Sequence, residues 1–204
     1  MDKKFELTTD TKIHFGRKLF RIKALISFGN VKVGDLGGYV ESEKNLSQSG
    51  DAWVYGDARV YGNAEVCGDA WVYGDARVYG NAEVCDNAEV YGNAEVCGNA
   101  WVCGNAEVYG NAEVCGNAEV YGNAEVCDNA DYVCAKGLGS ACRSTTFFKC
   151  KNGDIGVACG CFNGNLEEFA KKVRDTHGDN KYAKEYLTMI EVVKIHFEKE
   201  NHNG

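Results

Sequence analysis

The chain has 204 residues, 45% of them apolar, with 30 acidic against 22 basic residues for a net charge of -8, no proline and 11 cysteines. Such an acidic chain repels phosphate, which argues against direct nucleic-acid binding. No apolar run is long enough to span a membrane and no secretory segment opens the chain, so a cytoplasmic setting with reduced thiols and no membrane partner is expected.

In chain order, Lys12-Ile13-His14-Phe15, Gly16-Arg17-Lys18 and the run from Leu19 to Leu25 predict a hairpin that caps an open end. Val40 and Leu46 then lie twelve and six residues before Ala52, in phase with the hexapeptides downstream, so a coiled region is expected to start near residue 38.

The 18 residues GDAWVYGDARVYGNAEVC at 50–67 recur unchanged at 68–85, inside fourteen hexapeptides that run from Gly50 to Val133. The third residue of every unit is Ala and the second is Asp or Asn; the fifth is Val in all but the last, which has Tyr132. Ala and Val alternate with Glu, Cys, Trp, Arg or Tyr, the period-2 signature of a strand with one buried face. The Gly-Asn or Gly-Asp pair tolerates positive φ and makes a corner. A four-residue strand buries too little to stand alone, but stacked coils pair strands in parallel at ~4.8 Å and pool the small side chains in one interior. Three hexapeptides close one 18-residue coil, so the duplicated block is one turn of a triangular prism.

This register, in units such as Gly62-Asn63-Ala64-Glu65-Val66-Cys67, resembles the hexapeptide-repeat, left-handed parallel β-helix superfamily, best known from trimeric acyltransferases. The resemblance covers roughly 38–133 and implies the left hand of the coil, which periodicity alone does not reveal.

After Val133, residues Thr145 to Ala158 predict a second hairpin turning at Asn152-Gly153. Two helices are then expected. The first runs from Leu166 to His177, with Asn165 as N-cap and Leu166, Phe169 and Val173 as its apolar stripe. The second runs from Lys181 to Lys199, with Tyr182, Tyr186, Met189, Ile190, Val193 and Phe197 on one face. The expected architecture is mainly β: an N-terminal β-hairpin cap at 1–37, a left-handed β-helix at 38–133, and a C-terminal α+β cap of hairpin and two helices at 134–204.

The whole chain also resembles uncharacterised hexapeptide-repeat proteins of phages and prophages of Gram-positive bacteria. The resembling segments are Phe20 to Leu25, Gly34 to Ser47, Gly160-Cys161-Phe162 and Thr176 to Tyr182. The resemblance implies a genomic setting and no activity.

Cys67, Cys85 and Cys103 should stack in one outward column, where parallel neighbours do not favour disulfides. Cys134, Cys142, Cys150, Cys159 and Cys161 lack any Cys-x-x-Cys pair, so partly buried thiols are expected there rather than a zinc site. No cofactor and no metal are expected.

A hexapeptide acyltransferase would need a general base, commonly His, on the coil and a loop excursion to shape a pocket. His14, His177, His196 and His202 all lie outside the repeats, which run without an insertion, so a non-enzymatic role is the stronger reading and acyl transfer the alternative. The remaining alternative is a purely structural or oligomerising scaffold.

The 18-residue register stacks Trp53 and Trp71 in one outward column that continues as Glu89, Glu107 and Glu125, beside Tyr55, Tyr73, Tyr91 and Tyr109. Contiguous exposed aromatics mark a contact surface. Residues 50–133 hold 15 acids against Arg59 and Arg77, a net of -13. Over a rod of ~22 Å that is one charge per ~1.7 Å, close to the linear density of duplex DNA. Stacked like charges destabilise a ladder, so the acids are expected to serve binding. The expectation is a cytoplasmic protein that binds a protein partner, specifically a counter-defence inhibitor mimicking DNA toward a host nucleic-acid-binding protein, with homodimerisation a further contact. Trp53, Tyr55, Trp71 and Tyr73 are the expected apolar contacts, and Glu89, Glu95, Glu107, Glu113 and Glu125 the acidic ones.

Overall fold

The computed structural model describes residues 3–198; His202 and Lys199 lie outside them. Strand β1 (Phe5–His14) pairs antiparallel with β2 (Arg17–Ala24), and β2 with β3 (Leu36–Val40). The hairpin turns at Phe15-Gly16, both at positive φ, and its first strand begins seven residues earlier than the expected Lys12.

Thirteen two-residue strands come next at six-residue intervals, β4 (Trp53–Val54) to β16 (Glu125–Val126). They stack in parallel into three sheets, one per side of the coil, and β3 joins one of them. Register is kept by like residues: Val72 lies between Val54 and Val90, and Val84 between Val66 and Val102. Pairing extends past each strand through bonds such as Asn63 N–H to Gly80 C=O and Cys67 N–H to Val84 C=O. Every repeat Ala and Val from Ala52 to Val126 is at most 1% exposed, so the interior is one continuous column of small side chains.

The corners need positive φ. Gly92 sits at φ 71°, and a Cβ there would lie 3.1 Å from the Gly110 nitrogen in the next coil. Asp86 occupies one such corner at φ 57°, where its carboxylate accepts from the Gly104 N–H at 3.2 Å. Beside the corners, Asn63, Asn81, Asn99 and Asn117 form an amide ladder with steps of 3.0, 3.0 and 3.3 Å.

The coil does begin upstream of the clean repeats, with a shifted phase. Val40 pairs with Val60 and Leu46 bridges Val66, a spacing of twenty residues rather than eighteen. An even offset keeps both side chains inward. The two extra residues lengthen the corner after Leu46, whose Ser49 and Gly50 carbonyls accept from the Lys4 ammonium at 3.5 and 3.2 Å; Ala52 accepts at 3.0 Å. Lys4 is 1% exposed. With Phe5, Ile22, Ala24 and Val31 it closes the open end of the rod.

At the other end the fourteenth hexapeptide leaves the coil. Asn129–Asp131 form a 3-10 turn and Tyr132 opens β17 (Tyr132–Leu138). The expected hairpin, β18 (Arg143–Lys149) and β19 (Ile155–Cys159), lies inside a four-stranded antiparallel sheet completed by β17 and β20 (Phe162–Asn165). Phe148 and Ala158 extend the rod's interior. Phe147 and Val157 face a second core made with Phe169, Val173, Ala183, Tyr186, Ile190 and Val193 of the helices. Helix α1 (Leu166–His177) starts at an Asn165 and Glu168 capping box, and α2 (Lys181–Phe197) starts at Asn180.

Candidate binding faces

The three outward columns are set by the register. One side carries Trp53, Trp71, Glu89, Glu107 and Glu125. The next carries Arg59, Arg77, Glu95 and Glu113. The third carries Glu65, Glu83, Trp101 and Glu119.

Trp53 is not a contact residue. It points away from the coil's interior, as expected, but Phe5 and Phe28 meet its ring edge-on with centroids 6.2 and 5.3 Å away, and its exposure is 0%. The N-terminal cap folds over it because burying a large indole against apolar Phe5 and Phe28 removes its apolar surface from water. Tyr55 and Trp71 are half-buried, their rings 5.4 Å apart. Of the four expected aromatic contacts, Trp53 is therefore a seal under the cap, while Tyr55, Trp71 and Tyr73 stay half-buried.

The acids are held in place. Tyr73 donates to Glu89 at 2.8 Å, Tyr79 to Glu95 at 3.0 Å, Tyr91 to Glu107 at 3.0 Å and Tyr109 to Glu125 at 2.7 Å, each from one coil to the next. The rings of Tyr73, Tyr91 and Tyr109 stack at 4.8 and 4.9 Å. These acids, expected to serve binding rather than stability, each also satisfy a half-buried hydroxyl. The acids still differ in charge environment. Lys151 of the C-terminal turn binds Glu107 and holds its carboxyl below the usual range. Arg77 binds Glu95, Arg59 lies 3.8 Å from Asp75, Lys12 binds Asp57, and Lys149 lies 2.6 Å from Asp131. Among the described residues the other ten of the fifteen acids have no ion-pair partner within 4.0 Å. Glu113 is among these, exposed on the side it shares with Glu95.

The third side holds an aromatic residue outside the expected contacts. Trp101 is 39% exposed between Glu83 and Glu119. Its indole N–H donates to the Cys85 sulfur at 2.9 Å, and its ring meets Tyr121 edge-on at 5.4 Å. The signal is present in the sequence, since Trp101 falls eighteen residues after Glu83.

All eleven cysteines are thiols without a disulfide. Cys134, Cys142, Cys150, Cys159 and Cys161 form no cluster with metal-binding spacing among the described residues. Such spacing occurs instead on the rod, at Cys67, Glu83 and Cys85, at Cys85, Asp86 and Cys103, and at Cys97, Glu113 and Cys115.

Two histidines reach the rod through the caps. His14 packs edge-on to Tyr61 at 5.4 Å, and burial together with Arg59 and Arg77 lowers its pKa. His196 lies against the Ala130 carbonyl at 3.0 Å, lining a cavity of about 420 Å³ with Cys127, Asp131, Lys149 and Phe197. Asp131 is poorly arranged to activate a nucleophile there. Burial raises its pKa, but hydrogen bonds from Cys127 and Lys149 outweigh that and keep it low, while the hydrogen bond that Asp131 accepts from the Cys127 thiol, with burial, pushes that thiol up. A thiol so shifted is a weaker nucleophile at neutral pH.

Residues 52–68 match the family model of the YdcK beta solenoid repeat. Over that segment the chain is similar to a β-solenoid repeat, in agreement with its stacked strands. No curated protein matches the chain.

Proposed function

We propose that the protein is a non-catalytic binding rod whose acidic sides engage a basic surface on a protein partner. In the more specific form of this reading, supported by the resemblance to phage and prophage proteins, that surface is the nucleic-acid channel of a host defence protein and the rod mimics duplex charge. The observation that carries the proposal is the column Glu89, Glu107 and Glu125, one carboxylate per coil, each fixed by a tyrosine hydroxyl from the preceding coil. Carboxylates already ordered in the unbound rod lower the entropy cost of association. Their repeat of ~4.8 Å suits a row of cationic side chains.

Capture from a bacterial lysate at low and at high salt tests the reading. A partner held by the acidic columns elutes as salt screens them. A partner that persists at high salt, or a second copy of the chain as the sole associate in sedimentation, would contradict it. Turnover of an acyl-CoA by the purified protein would restore the alternative of acyl transfer.

A further inference from the structure

The sixth position of the hexapeptides forms its own columns. On one corner it reads Cys67, Cys85, Cys103 and Tyr121; on the next, Tyr61, Tyr79, Cys97 and Cys115. Each cysteine N–H in the first column bonds the carbonyl of the coil above at 3.0 Å, from Cys67 to Val84, Cys85 to Val102 and Cys103 to Val120. The backbone thus fixes the thiols one above another, and neighbouring sulfurs fall within 4.8 Å of each other and of a carboxylate, Glu83 or Asp86. Cys85 and Cys103 are 7% and 8% exposed, and Cys97 is 8% exposed.

Backbone spacing and ligand number together discriminate between thiol chemistries. A disulfide needs Cβ atoms about 3.8 Å apart, whereas parallel in-register neighbours sit at ~4.8 Å. A structural zinc site takes four protein ligands, whereas each of these groups offers two sulfurs and one carboxylate. Two collinear bonds of ~2.3 Å need two sulfurs only and span ~4.6 Å, inside the 4.8 Å within which the sulfurs lie. Linear coordination by two thiolates belongs to soft d¹⁰ cations, for which monovalent copper is the physiological case. The Trp101 N–H on the Cys85 sulfur is a second, independent feature, because an indole donor can only donate and so favours the anionic sulfur.

We propose that the cysteine columns bind soft monovalent d¹⁰ cations, one between Cys85 and Cys103 beside Asp86, and one between Cys97 and Cys115 beside Glu113. Each cation replaces two thiol protons, forming two metal–sulfur bonds and releasing two protons to solvent, with no change of oxidation state. Cys85 is the sulfur best prepared for this. Its sulfur accepts the Trp101 N–H at 2.9 Å, and the residue is 7% exposed. Cys67, at the end of the same column, is an additional ligand only by displacing the cation from Cys103.

The test titrates the reduced full-length protein anaerobically with Cu(I) against a chromophoric Cu(I) chelator, and in parallel with Zn(II). Wild type should retain two equivalents of Cu(I). Cys85→Ser with Cys103→Ser should lose one, Cys97→Ser with Cys115→Ser the other, and Cys134→Ser with Cys142→Ser and Cys161→Ser none. X-ray absorption of copper-loaded wild type needs no variant to fold and should show two sulfur neighbours. No retained copper, retention that tracks the C-terminal cysteines, or tighter holding of zinc than copper would each overturn the proposal.

Discussion

Tyr91 donates its hydroxyl proton to the Glu107 carboxylate at 3.0 Å, from one coil to the next, while its ring lies between those of Tyr73 and Tyr109. Replacing it tests what the ladder contributes. Tyr91→Phe keeps the stack and removes the donor, so the loss should be about 0.5–1.5 kcal/mol, toward the low end because Glu107 keeps Lys151 and part of its solvent. Urea unfolding should show a lower midpoint with an unchanged slope. A midpoint equal to wild type would mean the hydroxyl contributes nothing.

The same packing makes the rod sensitive to alkali. Burial, with the neighbouring Glu107, pushes the Tyr91 hydroxyl up to about 12; burial pushes Cys67 up to about 12 and Cys97 up to about 11. In the unfolded chain Tyr and Cys ionise near ~10 and ~8.5. Between those values and the folded ones the native state holds protons that the unfolded chain has released. Stability from these groups is therefore complete below about pH 8.5 and falls as pH rises toward 12. Thermal melts followed by circular dichroism should show a falling midpoint over that range, and a flat profile would contradict the assignment.

Lys4 acts in the opposite sense. Burial lowers its pKa to about 8 despite Asp51 and Asp69, against ~10.4 unfolded. Its contribution is thus least favourable below about pH 8 and improves as pH rises toward 10.4, one group against the several that fail there. Lys4→Met strips three carbonyls of their donor and should cost about 1–3 kcal/mol at neutral pH. It should also steepen the alkaline loss. Wild-type stability in this variant would show that solvent replaces the ammonium.

Trp53 and Trp71 are separated by the cap rather than by their letters. Trp53→Ala opens a cavity beneath Phe5 and Phe28 and should cost about 3–5 kcal/mol. Trp71→Ala, at a half-buried site, should cost visibly less in the same denaturation experiment. Equal costs would mean that the cap does not seal Trp53.

The rod is legible in the sequence because each hexapeptide carries its own strand and corner, so local pattern and tertiary position coincide from Ala52 to Val126. The acid columns and the Trp101 column are legible by counting eighteen residues, and the tyrosine-to-glutamate bonds by counting sixteen. What the repeat does not encode is contact between sequence-distant segments. Phe5 reaches Trp53, Lys4 reaches Ala52 and His14 reaches Tyr61 through a cap of unrelated pattern. The strands Tyr132–Leu138 and Phe162–Asn165 escape a sequence reading because each is an edge strand that pairing with its one sheet neighbour, not its own alternation, makes a strand. The phase shift at Val40 is hidden for a similar reason, since Lys4 stabilises the longer corner after Leu46.

The acidic column itself is tested by replacing Glu89, Glu107 and Glu125 together with Gln. Glutamine keeps an oxygen to accept from Tyr73, Tyr91 and Tyr109, so the ladder geometry survives while three charges are removed. The measurement is capture of the lysate partner at low salt by the triple variant and by wild type at matched folded fractions. A native-like melting profile is predicted, with capture reduced by roughly tenfold or more, as expected when several charges of a complementary interface are lost. Undiminished capture by the folded variant would contradict a binding role for the column.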